Sequence, residues 1–175
     1  MASRRKGRIL AFQALYSWDT NYSQKGDTSI PRELLDFSWT ANEAPEASSS
    51  KAAQKLKPQK PPKPIDEKMA AFSRLLLTGT VENITQVDNI IQEHLKNWEI
   101  SRLKRVDLAI LRMSTYSLLY QEEIPPSVVI DEAVEISREF GTDDSYRFVN
   151  GVLDSIRKTL TQKNDVSCIS GLAAT

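Results

Sequence analysis

Apolar residues recur every three or four positions along most of this 175-residue chain. A period near 3.6 gathers them on one side of an α-helix, whereas a half-buried strand needs strict alternation, so the spacing predicts an all-α fold. In the first segment Ala11, Leu15 and Trp18 share a face, Ile9, Phe12 and Tyr16 share the neighbouring one, and Ser3 is placed to cap the start. Pro31 suits a first helical turn, followed by Leu34, Leu35 and Trp39 in a short second helix. From Asp66 a long pattern runs through Met69, Phe72 and Leu76 and then Ile84, Val87, Ile91 and Leu95, with Gly79 the expected break between two helices. Ser101 is the expected cap of the next segment. There Leu103, Val106, Ile110 and Met113 form one stripe while Leu108, Leu111, Leu118 and Leu119 fill other faces, which marks a central, buried helix.

Pro125 and Pro126 stop that helix, because the ring removes an amide donor and clashes with the preceding turn. Beyond them Val129, Ala133, Ile136 and Phe140 face inward and Asp131, Glu132, Glu135 and Glu139 face outward, with Gly141 expected to supply a positive-φ cap. The last helix begins within Thr142 to Ser145 and carries Phe148, Val152 and Ile156 beside Val149, Leu153 and Leu160. Asn150-Gly151 is a hairpin signal only between alternating strands, and its flanks have helical period. Gly151 inside a helix costs ~1 kcal/mol relative to Ala, which points to close backbone packing there.

The chain is long enough for one core without disulfides or a structural metal. Residues 1–163 are expected to form a single helical domain and 164–175 a flexible tail. Between Asn42 and Pro64 the sequence is Ala, Ser, Lys, Gln, Glu and Pro with Leu56 the one large apolar side chain, too little to repay the entropy of ordering. Residues 42–64 therefore read as a disordered Lys/Pro-rich insertion, since the 41 residues before it are too few for an independent core.

Most site chemistry is excluded. Cys168 is alone, so neither a disulfide framework nor a thiolate zinc cage can be drawn, and no apolar run approaches the ~20 residues of a membrane span. Lacking the apolar run of an export signal as well, the protein is expected in the cytoplasm. The glycines at 7, 26, 79, 141, 151 and 171 form no G-x-G or P-loop arrangement. His94 is the one imidazole, without a second histidine or cysteine at metal spacing, and reads as a surface or capping residue. Asp131, Glu135 and Glu139 share a face best explained as solvated. No catalytic residue, metal or cofactor is expected.

Charge is balanced overall, 23 cations against 23 carboxylates, but unevenly spread. Arg4, Arg5, Lys6 and Arg8 crowd the start, whereas 121–144 holds eight acids against Arg138 alone. Cations at a helix N-terminus oppose the macrodipole, a cost that an anionic partner offsets. On a helix Arg4 and Arg8 share a face with Arg5 about 100° away, a fan suited to a phosphate backbone. Four such contacts give a log K versus log[salt] slope of roughly −3 on single strands.

A resemblance follows from particular stretches. These are Arg5-Lys6-Gly7-Arg8 leading to Gln13-Ala14-Leu15-Tyr16, Leu77-Thr78-Gly79-Thr80, Val106-Asp107-Leu108-Ala109-Ile110-Leu111-Arg112, and Ile124-Pro125-Pro126 with Val129-Ile130-Asp131-Glu132-Ala133. The most specific is Asp144-Ser145-Tyr146-Arg147-Phe148-Val149-Asn150-Gly151-Val152-Leu153-Asp154. In this order, over most of 4–160, they resemble the NusB family of bacterial transcription antitermination factors, with 42–64 as a departure that touches no core motif. The resemblance implies a compact bundle of about seven helices that catalyses nothing. It implies pairing with NusE, a small-subunit ribosomal protein, and joint binding of boxA single-stranded RNA in ribosomal RNA leaders, so that RNA polymerase with other Nus factors resists premature termination. The free protein is open to two states, a monomer or a homodimer paired through the NusE-facing surface.

By position, Arg4, Arg5, Lys6 and Arg8 match the family's RNA-contacting start, Phe148 an aromatic near the RNA path, Asp144 a position that influences RNA affinity, and Asp107 an acidic residue facing NusE. Tyr146 is a candidate to assist Phe148 in base stacking. Each has a plainer reading: Phe148 also fits the core stripe, Asp144 an N-cap, and Asp107 an ion pair with Arg105. Two other functions fit such a bundle, the RNA-binding front module of a ribosomal RNA methyltransferase and a protein-interaction bundle that binds no RNA.

Overall fold

The structure is a computed structural model that describes the backbone of residues 2–23, 28–39, 65–96 and 98–171, with side chains described from Arg4 to Gln162 within those ranges. The 42–64 insertion lies outside the described residues. Among the described residues there is no strand, and seven α-helices follow in order: α1 Ala2–Asn21, α2 Arg32–Asp36, α3 Glu67–Glu82, α4 Ile84–His94, α5 Arg105–Tyr120, α6 Pro126–Phe140 and α7 Ser145–Gly171.

α5 is the axis. Every residue from Asp107 to Ser117 is buried, and α1, α3, α4, α6 and α7 all pack on it. This is the outcome expected of a helix apolar on most sides. Ile110 and Leu111 are fully enclosed, and burying each side chain contributes roughly 1.5–3 kcal/mol. α1 lies along α3, and α6 along α7. Ala11, Leu15 and Trp18 are buried as their shared face requires, whereas Tyr16 on the neighbouring stripe stays 37% exposed.

Several local expectations are corrected. Gly79 does not break the third pattern; α3 runs through it to Glu82, with Asn83 as its C-cap. Its bareness serves packing instead, because a Cβ at Gly79 would collide with the Tyr116 ring of α5. Gly151 has nothing within 4 Å of its added Cβ, so the close packing expected there does not exist. Gly141 has φ −91° and is not a left-handed cap; it is needed because a Cβ would press on the Ser137 carbonyl and Ser145. Ser101 sits in a short 3₁₀ turn, Ile100–Arg102, ahead of α5, whose N-cap is Lys104. Ser3 falls inside α1, which begins at Ala2, with its side chain outside the described set. α7 is helical to Gly171, with its side chains described as far as Gln162.

One polar knot crosses this core. Arg112 of α5 donates from Nε and Nη2 to the Asp88 carboxylate of α4, both at 2.8 Å, and from Nη1 to Asp19 Oδ1 of α1 at 2.6 Å. Burial disfavours the guanidinium charge, but the two carboxylates outweigh it and leave the pKa raised. His94 is a second polar joint. Its ring nitrogens meet the Ile90 carbonyl at 2.8 Å and Thr159 Oγ1 of α7 at 2.9 Å, so it ties α4 to α7.

Candidate nucleic-acid interface

The four N-terminal cations do not fan out as expected. Arg4 and Lys6 are exposed and Arg5 is partly so, but Arg8 is only 3% exposed. Glycine at position 7 lets α1 approach α3 closely, with Ser73 Oγ donating to the Gly7 carbonyl at 2.9 Å, and the next residue is drawn in with it. The Arg8 guanidinium lies over the Phe72 ring at 5.4 Å, and its Nη2 is buried without a hydrogen-bond partner among the described residues. Burial lowers its pKa, the Arg4 charge adds to that, and Glu132 opposes both.

Arg5 is held by the acidic face of α6, 3.5 Å from Glu139 and 3.9 Å from Glu135. The face read as merely solvated therefore partly neutralises the cationic cluster. From Glu135 a surface relay continues. Arg138 pairs with Glu135 at 2.8 Å and stacks over the Tyr146 ring at 4.9 Å. Arg147 Nε donates to the Tyr146 hydroxyl at 2.9 Å, and its guanidinium lies 3.9 Å from Asp144. The beginnings of α1 and α7, far apart in sequence, are thus joined through the C-terminal half of α6.

At the start of α7 the Ser145 hydroxyl accepts the Thr142 amide at 2.9 Å. Asp144 contributes its carbonyl to the Phe148 amide at 3.2 Å, while its side chain is 89% exposed. Phe148 is half-buried: it packs against the core cluster, as its place on the apolar stripe requires, and also lines a surface cleft.

Asp107, Asp144 and Phe148 meet in that cleft, of about 250 Å³, together with Trp98, Arg102, Leu103, Lys104 and Thr142. Lys104 Nζ donates to Thr142 Oγ1 at 2.8 Å, closing one side. Asp107 forms no ion pair with Arg105. It is 6% exposed, and its Oδ1 is buried without a partner among the described residues. A carboxylate in the first turn of α5 is favoured by the helix dipole, which helps to retain it there. A second cleft, of about 490 Å³, opens between α4 and α7 and is lined by Lys96, Trp98, Arg147, Phe148 and Lys158, among others. Sequence reasoning missed Trp98, although an indole in a polar connection between helices is a detectable signal. It also missed the Asp19–Asp88–Arg112 knot, whose trace is an arginine in the middle of a helix that is apolar on most sides.

No helix among the described residues is long and apolar enough to cross a membrane.

A family model described as the NusB family matches residues 5–158. The transcription antitermination protein NusB of Treponema denticola is 46% identical over 154 residues, which is 88% of this chain and 95% of that protein. Among solved structures, T. maritima NusB superimposes with a TM-score of 0.65 at 33% identity, covering 89% of this chain and 90% of that one. A chain in a structure of antitermination factors NusB and NusE in complex with dsRNA has the same fold, with a TM-score of 0.64 at 24% identity over 91% of this chain and 98% of its own.

Proposed function

This chain belongs to the NusB family, and from that premise we propose that it is a non-catalytic transcription antitermination adaptor, pairing with NusE to bind boxA single-stranded RNA of ribosomal RNA leaders. With the other Nus factors it helps RNA polymerase, in the cytoplasm, to resist premature termination. The observation that carries this reading is 46% identity spread over 95% of a relative named for that activity. Likeness along a whole antitermination protein supports the adaptor over the front module of a methyltransferase.

The working unit is residues 1–163, with the 42–64 insertion and the 164–175 tail as accessories. Arg4, Arg5 and Lys6 approach RNA phosphates, and Phe148 with Tyr146 offers ring faces to unpaired bases. Asp144 tunes affinity by setting the charge beside Arg147. Asp107 belongs to the partner-facing part of the surface, where a carboxylate suits a basic ribosomal protein.

The test is fluorescence anisotropy of labelled boxA RNA across a salt series, with and without NusE. An Arg4→Ala/Lys6→Ala variant should bind more weakly, with its log K versus log[salt] slope shallower by about 1.4, roughly 0.7 for each single-strand phosphate that is no longer neutralised. A variant with unchanged affinity and slope overturns the assignment of this cluster to RNA.

A further inference from the structure

Trp98 is the most exposed large apolar side chain among the described residues, at 57%. Trp18, by contrast, is buried in the core at 2%. An indole left in water forgoes burial free energy, and it does not stand singly, because Phe148 lines the same two clefts and makes the apolar surface contiguous. Its backbone is not loose. Gln92 of α4 donates from Nε2 to the Trp98 carbonyl at 3.0 Å and accepts the Ile100 amide on Oε1 at 2.9 Å, clamping the connection on both sides of the indole.

The surroundings specify the ligand. Trp98 and Phe148 line both clefts, so two aromatic side chains form the wall shared by neighbouring depressions. Arg102 and Lys104 stand in one cleft and Lys96 and Arg147 in the other. Across the two, five cations face three carboxylates. Aromatic faces flanked by cations are what an unpaired polynucleotide needs, a stack for the base and counter-charge for the backbone on either side.

We propose that Trp98 is a base-stacking platform for single-stranded RNA, with Lys96 and Arg147 on one side and Arg102 and Lys104 on the other holding the flanking phosphates. The inference rests on the proposed RNA-binding function and extends it to the connection between α4 and α5. Gln92 is a positioning residue that keeps the indole in place.

The experiment titrates a fluorescein-labelled single strand of about twelve nucleotides, copied from a ribosomal RNA leader, into the full chain with NusE. Trp98→Ala should weaken binding by about 5- to 150-fold, the range that removal of one base–aromatic stack produces, with the salt slope unchanged. Trp98→Phe should retain most of the affinity. Lys96→Ala/Arg147→Ala should make the slope shallower by about 1.4. RNA should quench indole emission in the wild type and not in Trp98→Phe. Three results overturn the proposal. If Trp98→Ala binds like wild type while Arg4→Ala/Lys6→Ala is weakened, the platform is refuted and the RNA-binding function stands. If Trp98→Ala weakens capture of NusE in the absence of RNA, the indole is a protein contact. If the wild type binds no RNA with or without NusE, the platform and the function fall together.

Discussion

Two arginines are buried in this bundle, and they have opposite surroundings. Arg112 lies at the crossing of α1, α4 and α5 with three hydrogen bonds to two carboxylates. Arg8, more deeply enclosed, leans on the Phe72 ring with its Nη2 unpartnered among the described residues, although Glu132 attracts it from beyond ion-pair range. The pKa directions record the contrast: carboxylates raise that of Arg112 against burial, whereas burial lowers that of Arg8. A charge taken out of water is stable where it finds ionic partners, and is otherwise held by the packing around it. Arg112 is therefore a tie between helices. The start of α1, with Arg8 held by packing, Arg5 loosely held and Arg4 and Lys6 exposed, carries cationic capacity that the described residues do not fully neutralise.

The same substitution at the two sites gives the widest separation. Arg112→Met should destabilise the protein by about 3–5 kcal/mol, because Asp19 and Asp88 are left as uncompensated partly buried charges. For a chain of this size that corresponds to a melting temperature lower by roughly 6–20 °C. Thermal and urea unfolding followed by circular dichroism measure it. A destabilisation under about 1 kcal/mol would show that the knot is no more than a surface pair and would remove the contrast.

The sequence made the two regions unequally legible. Periodicity alone identifies α5 as the axis and places Val129, Ala133 and Ile136 inside, because burial follows directly from an apolar stripe. It does not say which charged residues are buried, since a side chain such as Arg8 is drawn inward by a neighbouring glycine that lets two backbones close up, a tertiary event. The roles of the glycines are hidden from periodicity for the same reason. Gly79 and Gly151 look alike in sequence, yet one admits the Tyr116 ring and the other faces open space. The blocks resembling a known family located Asp107, Asp144 and Phe148, which do meet in one cleft. Trp98 belonged to none of those blocks, and its place beside Phe148 arises from the packing of α4, α5 and α7.

A smaller effect separates loosely held from exposed cations. Glu135 and Glu139 compete with RNA for Arg5 across 3.9 and 3.5 Å, with side chains 43% and 49% exposed. Such exposed pairs are screened and contribute about 0–1 kcal/mol. Glu135→Gln/Glu139→Gln should therefore tighten RNA binding by no more than about fivefold, most visibly at low salt, where repulsion between these carboxylates and phosphate is least screened. Anisotropy titrations at two salt concentrations read it. Unchanged affinity at low salt would mean that Arg5 does not approach the RNA and that the cationic capacity of α1 resides in Arg4 and Lys6.

The smallest effect belongs to Arg8→Met, and it is the most informative about how α1 meets RNA. Methionine keeps a flexible apolar stem over Phe72 and removes the unsatisfied donor, at the cost of the attraction of Glu132. Stability should stay within about 1 kcal/mol of wild type, since replacing a poorly compensated buried charge with an apolar side chain is often neutral or favourable. RNA affinity then reports the conformation that binds. If the buried arrangement is the binding one, Arg8→Met should leave affinity and salt slope unaltered, because Arg8 touches no phosphate. If the start of α1 unpacks from α3 so that Arg8 reaches the RNA, the slope should become shallower by about 0.7. In that case the open form costs the free protein its stacking on Phe72. Apparent affinity then falls by the fraction of molecules that are open, and a change that loosens Gly7 from Ser73 should raise it.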